Sequence, residues 1–174
     1  MVVIGMVDLL TPVRVVPQLR ATDRDDLMRT LAQHLAADSG VSEEALVAAV
    51  MATKDLPPLM LRGGVSLLHT FVEGLARPIA VFARLRHPMD FGVAGCATDI
   101  VALLASPAAK TGDHLRALAC MARRLRRSDV LAHVRATKCR ELMYLALTSD
   151  EWCVPGADSP SSTRGLSKVC GYRI

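Results

Sequence analysis

The sequence predicts an α/β domain of three layers, a mixed central sheet flanked by helices. Three observations carry that expectation. Residues 78–85 and 99–105 are continuous apolar runs of strand length, the pattern of central strands buried on both faces. Apolar residues recur at helical spacing before them (Leu27, Leu31, Leu35) and after them (Leu115, Leu118, Ala119, Ala122, Leu125). Finally, 174 residues with 51% hydrophobic and 22% charged side chains suffice for a packed core without staples.

Each element follows from local chemistry. Residues 2–10 are apolar but contain Asp8, and they lack a basic leader and a small-residue cleavage site. They read as neither a signal peptide nor a membrane span. Residues 13–19 hold β-branched side chains around Pro17, which predicts a short edge strand. Thr22 or Asp23 offers an N-cap, and Asp25 and Asp26 suit the positive end of a helix over 24–38 that closes near Gly40. Ser42 caps a second helix, with Leu46, Ala49 and Val50 inward, which stops before Pro57-Pro58.

Residues 59–70 read as loop and then strand, entered through Gly63-Gly64. Between the two apolar strands, residues 87–98 contain Pro88, Gly92 and Gly95 and read as a connecting loop. A helix is predicted over 112–127, another from Ser128-Asp129 to about Ala136, and a third over 138–148. From Asp150 the composition turns to Gly, Pro and Ser, predicting a flexible tail over 150–174 behind a domain of residues 8–149.

Five widely spaced cysteines (Cys96, Cys120, Cys139, Cys153, Cys170) form no C-x-x-C pair, which suits reduced thiols and a cytoplasmic location. The net charge of +4 is modest. Much of it lies in Arg116, Arg123, Arg124, Arg126, Arg127, Arg135, Lys138 and Arg140, which read first as solvated helix exteriors. Nucleic-acid binding by this run ranks last, because the total charge is small and aromatics for base stacking are scarce.

Histidine is the natural reactive side chain here, since an imidazole with an ordinary pKa of about 6.5 is a neutral nucleophile at cell pH. His34 and His133 fall within predicted helices, and His87 falls in the predicted loop. None has a chemical companion nearby in sequence. His69 differs: it ends a predicted strand, on the face of Val65 and Leu67, where a scaffold can hold a group beside a loop. His114 stands near a helix start, where unpaired N–H groups attract anions. There is no G-x-x-x-x-G-K-[ST] loop, no H-E-x-x-H, no His/Cys cluster and no G-x-S-x-G elbow, so neither metal nor cofactor is expected. Cys96 is a lone thiol and reads as inert.

Several segments in order carry a family resemblance. They are Asp8-Leu9-Leu10-Thr11-Pro12, Gly64-Val65-Ser66-Leu67-Leu68-His69-Thr70 and Ala83-Arg84-Leu85 leading to Pro88-Met89-Asp90-Phe91. Then come Thr98-Asp99-Ile100-Val101-Ala102-Leu103-Leu104-Ala105-Ser106-Pro107 and Asp113-His114-Leu115-Arg116-Ala117-Leu118-Ala119. Together they resemble the phosphotransferase-system enzyme IIA domains of the fructose and mannitol type, above all the nitrogen-regulatory IIA proteins.

The resemblance implies the mannitol-type IIA fold and a phosphocarrier. His69 would accept a phosphoryl group from a small HPr-like carrier, itself charged by an enzyme I-like kinase, and His114 would help to hold it. Output would be regulation of partner proteins according to phosphorylation state.

The chain departs from the family over residues 53–62. The family's arginine falls on Thr53, its Ser-Thr loop on Pro58-Leu59, and the proline before its active histidine on Leu68. Lys54 and Arg62 are the replacement cations within reach in sequence, though lysine lacks the planar fork that suits phosphate. Two readings follow: a working phosphocarrier, or a IIA-like binding module that has lost transfer.

Overall fold

The two long apolar runs form the middle of one mixed sheet in a computed structural model that describes residues 4–91 and 97–149. Strands β1 (Val15–Leu19), β2 (Leu59–Leu61), β3 (Val65–Val72), β4 (Ile79–Asp90) and β5 (Ala97–Pro107) lie in the order β1-β4-β5-β3-β2. β1 pairs parallel with β4 and β3 parallel with β5, whereas β4–β5 and β2–β3 are antiparallel. The helices are α1 (Met6–Leu9), α2 (Arg24–Ala36), α3 (Glu43–Met51), α4 (Thr111–Leu125), α5 (Ser128–Ala136) and α6 (Arg140–Thr148).

Side-chain alternation along the buried strands supplies a core on each face of the sheet. Leu68, Val81, Ala83, Val101 and Leu103 pack with Leu27, Leu31, Leu35, Leu46 and Val50 of α2 and α3. Val65, Leu67, Phe82, Ile100, Ala102 and Leu104 pack with Ala117, Met121, Val130, Val134 and Met143 of α4, α5 and α6. The predicted three layers are therefore present.

Local expectations hold where capping chemistry decides them. Asp23 caps α2 by accepting from Asp26 N–H at 2.8 Å, while Asp26 accepts from Thr22 N–H at 2.8 Å. Ser42 caps α3 by accepting from Ala45 N–H at 3.2 Å. At the start of α5, by contrast, Arg127 is the N-cap residue and Ser128 is already helical.

Two stretches expected as loop are strand. Residues 59–61 pair with β3 at the sheet edge. β4 continues through His87 and Pro88 to Asp90, where pairing with Thr98 and Ala97 resumes after a register shift between Arg84 and Met89. A proline is tolerated in a strand at such an irregularity because no ladder donor is required of it there.

Gly92, Gly95, Cys96, Cys153, Cys170 and the expected flexible tail over 150–174 lie outside the described residues. Cys139 is a free thiol, and Cys120 is half-buried on α4. Among the described residues, no helix is long and apolar enough to cross a membrane.

Candidate functional site

His69 is the fifth residue of β3 and half-buried, on the sheet face that α4 covers. Its alternation with Val65 and Leu67 points it toward the first turn of α4, where His114 is buried. The two imidazole rings lie 5.2 Å apart between centroids, tilted by 59°. Phe71, two residues further along the same strand face, sets its ring 4.4 Å from that of His114. The two histidines are 45 positions apart in sequence, and the sheet brings them together.

His114 is held from behind. β3 and β5 run in parallel register with Phe71 beside Ser106, and Ser106 Oγ lies 2.9 Å from His114 Nδ1. Ser106 is fully buried. Burial, and then the neighbouring His69, push the His114 pKa below its ordinary value, because both disfavour the imidazolium. His114 is therefore kept as a neutral ring at neutral pH. Among the described residues no side chain caps the start of α4, which leaves first-turn N–H groups beside this ring.

A shallow depression beside His69 is lined by Thr53, Leu56, Pro57, Pro58, Leu67 and Leu68. No cation lines it among the described residues. Lys54 is exposed in the turn after α3 and is not part of that lining. Arg62, in the β2–β3 turn, borders a different concavity with Met60, Leu61 and Arg126. The hydroxyl of Thr53 donates to Val50 O at 2.7 Å and so closes the end of α3.

The other histidines stand apart from this pair. His87 is exposed on β4, and His34 is half-buried on α2 with its pKa lowered by burial and by the charge of Arg140. His133 sets Nδ1 3.1 Å from Asp129 O within α5.

The basic run is spread over α4, α5 and α6, and much of it serves the fold. Arg116 pairs with Asp113 at 2.9 Å and Arg127 with Asp129 at 2.6 Å. Arg124 donates to Ala146 O at 2.8 Å and also to Ser149 O. Arg135 makes a bidentate pair with Asp99, both contacts at 2.6 Å. A third concavity, of about 500 Å³, includes Arg84, Arg86, Arg135 and Lys138. Arg84 there donates to Pro17 O at 2.9 Å and to Val134 O and Arg135 O at the end of α5.

The fold agrees with the comparisons to known proteins. A family model described as phosphoenolpyruvate-dependent sugar phosphotransferase system, EIIA 2, matches residues 8–148. The chain belongs to that EIIA 2 family. Within it the chain is of the nitrogen-regulatory IIA type: a nitrogen regulatory protein of Bradyrhizobium diazoefficiens is 31% identical over 141 residues, 80% of this chain and 92% of the relative.

Among solved structures, the nitrogen regulatory protein IIA-Ntr of Neisseria meningitidis superposes with a TM-score of 0.72 at 21% identity, over 81% of this chain and 97% of that one. Enzyme IIAMtl of Escherichia coli, solved in complex with phosphorylated enzyme IIBMtl, gives 0.63 at 16% identity over 79% and 96%. These likenesses establish the EIIA 2 fold.

Ser106 and Phe71 were not among the candidate residues that the sequence suggests. Ser106 stands in the Thr98 to Pro107 segment that carries the resemblance, but nothing in that segment singles out its side chain. Only the parallel register of β5 on β3 places it under the helix start.

Proposed function

We propose that the chain is a phosphocarrier, and that His69 accepts a phosphoryl group from the phosphohistidine of an HPr-like donor. The observation that supports this most is the His69–His114 ring pair at 5.2 Å, at the start of a helix. An imidazole nitrogen of His69 attacks phosphorus as the donor's P–N bond breaks, and the donor imidazole departs with the electron pair of that bond. Such transfer depends on alignment and charge stabilisation more than on acid–base chemistry. His114 and the first-turn N–H groups of α4 are the donors available to the equatorial oxygens.

The surroundings suit a protein partner. Leu56, Phe71 and Leu115 are exposed, and Leu56 and Pro57 border the depression beside His69. An apolar rim around a reactive group fits docking of another protein over it. Phosphorylation then adds about two negative charges at the centre of that rim, which changes which partners dock. Phosphotransferase-system proteins are the partner class, and output is regulation of bound proteins by phosphorylation state.

Incubation with an enzyme I-like kinase, an HPr-like carrier and phosphoenolpyruvate should give acid-labile phosphate on wild type and none on His69→Ala. Absence of label on wild type, or equal label on both, overturns the proposal. Two observations favour a second reading, a binding module without transfer: the Thr53 hydroxyl is bonded to Val50 O at the end of α3, and among the described residues no cation lines the depression. That reading expects no label and partner capture unaffected by His69→Ala.

A further inference from the structure

A fully buried serine hydroxyl must place its own proton. Ser106 is 0% exposed, and the only hydrogen bond of its hydroxyl among the described residues is to His114 Nδ1 at 2.9 Å. Two arrangements satisfy the distance. In one, Nδ1–H donates to Ser106 Oγ, and the serine proton is left without an acceptor in the interior. In the other, the serine O–H donates to an unprotonated Nδ1, and only oxygen lone pairs go unused. An orphaned buried donor carries its full desolvation penalty, whereas an under-used acceptor is tolerated more readily. The second arrangement prevails, and the ring proton then sits on Nε2.

We infer that Ser106 is a positioning residue: its hydroxyl donates to His114 Nδ1, fixes the Nε2–H tautomer, and leaves that N–H as the ring's donor toward a phosphoryl group on His69. The functional half of this inference rests on the phosphocarrier reading, and the tautomer half stands without it. The geometry is consistent on every side. Phe71 packs on the His114 ring at 4.4 Å and limits its rotation, and His69 lies 5.2 Å away. Ser106 comes from β5 and His69 from β3, so the parallel pairing of two central strands sets the distance between the orienting hydroxyl and the acceptor ring. The arrangement also resists protonation of His114, since an imidazolium would need Nδ1–H and would turn the serine proton out of its bond. A phosphohistidine would thus meet a neutral donor whose direction is fixed before the group arrives.

Nitrogen-15 NMR of the imidazoles reads the tautomer directly in the unphosphorylated protein. Wild type and Ser106→Thr, which keeps the hydroxyl, should show His114 as the Nε2–H tautomer. Ser106→Ala should show a mixture of both. Under the phosphocarrier reading, Ser106→Ala should also shorten the lifetime of phosphorylated His69 by about three- to tenfold, the scale of one lost hydrogen-bond donor. A wild-type Nδ1–H tautomer overturns the inference, and so does an unchanged tautomer in Ser106→Ala, whatever the lifetime of the phosphate. If wild type takes no phosphate at all, the phosphocarrier reading fails by itself. The tautomer comparison still decides what Ser106 does to His114.

Discussion

At the scale of single residues, the candidate site combines a buried imidazole bonded to Ser106 with a depression that no cation lines among the described residues. Thr53 lines the depression beside His69, but its hydroxyl is committed to Val50 O. Replacing Thr53 by arginine would put a planar, permanently charged donor at the rim of that depression. Under the phosphocarrier reading, Thr53→Arg should lengthen the life of phosphorylated His69 by about tenfold, read as the decay of acid-labile phosphate at neutral pH. An unchanged decay would show that the rim does not reach the phosphoryl oxygens. Backbone geometry makes an independent demand at Gly64, which has a φ of +75°. A Cβ there would lie 2.9 Å from Asp99 Oδ1 and 3.2 Å from Ala97 O. Gly64→Ala should cost about 2 kcal/mol in urea unfolding, from left-handed strain and crowding together. The Gly63-Gly64 pair was legible as the entry to a strand, but its closeness to Asp99 depends on how β3 meets β5.

At the scale of elements, capped and strongly periodic segments could be read from sequence, and the orientation of α4 could not. The apolar spacing of Leu115, Leu118, Ala119, Ala122 and Leu125 predicts one inward stripe, yet Leu115 is 65% exposed. The buried stripe of α4 is His114, Ala117, Met121, Arg124 and Leu125, rotated by about one residue. Hydrophobicity alone misphases this helix because two of its inward positions are polar and internally bonded, His114 to Ser106 and Arg124 to Ala146 O. The same rotation brings His114 under His69, so the misread phase and the site have one cause. Leu115→Ser should therefore change unfolding free energy by no more than about 0.5 kcal/mol. Met121→Ala, at a fully buried position, should cost about 2–5 kcal/mol. The reverse ranking would restore the apolar stripe as the inner face. The extension of β4 through His87 and Pro88 escaped the sequence reading for a similar reason. Proline reads as a break unless the strand shifts register beside it, and the sequence shows no such shift.

At the scale of the whole molecule, acid sensitivity follows from where the protonatable groups sit. His34, half-buried on α2, has its pKa lowered by burial and then by the charge of Arg140, while His114 has its pKa lowered by burial and then by His69. For both, the folded pKa lies below the unfolded value of about 6.5, so the unfolded chain binds more protons as pH drops past that value. Stability from these two groups is therefore complete above about pH 6.5 and is lost as pH falls through their folded pKa values. The carboxylates act in a lower window. Burial pushes Asp38 upward, but hydrogen bonds from Arg14 and Thr11 outweigh it and leave a net lowering, and the Arg127 hydrogen bond holds Asp129 at about 2. Those contributions persist until pH falls below the ordinary carboxylate range of about 4. Urea midpoints should consequently fall between pH 7.5 and 5.5, before any carboxylate protonates. His34→Gln keeps a polar group of similar reach without the titration, and it should flatten part of that fall while leaving the drop below pH 4 in place. A midpoint level from pH 7.5 to 5.5 would mean that the fold does not disfavour the charged form of either imidazole, leaving His114 neutral only as far as an ordinary imidazole is at that pH.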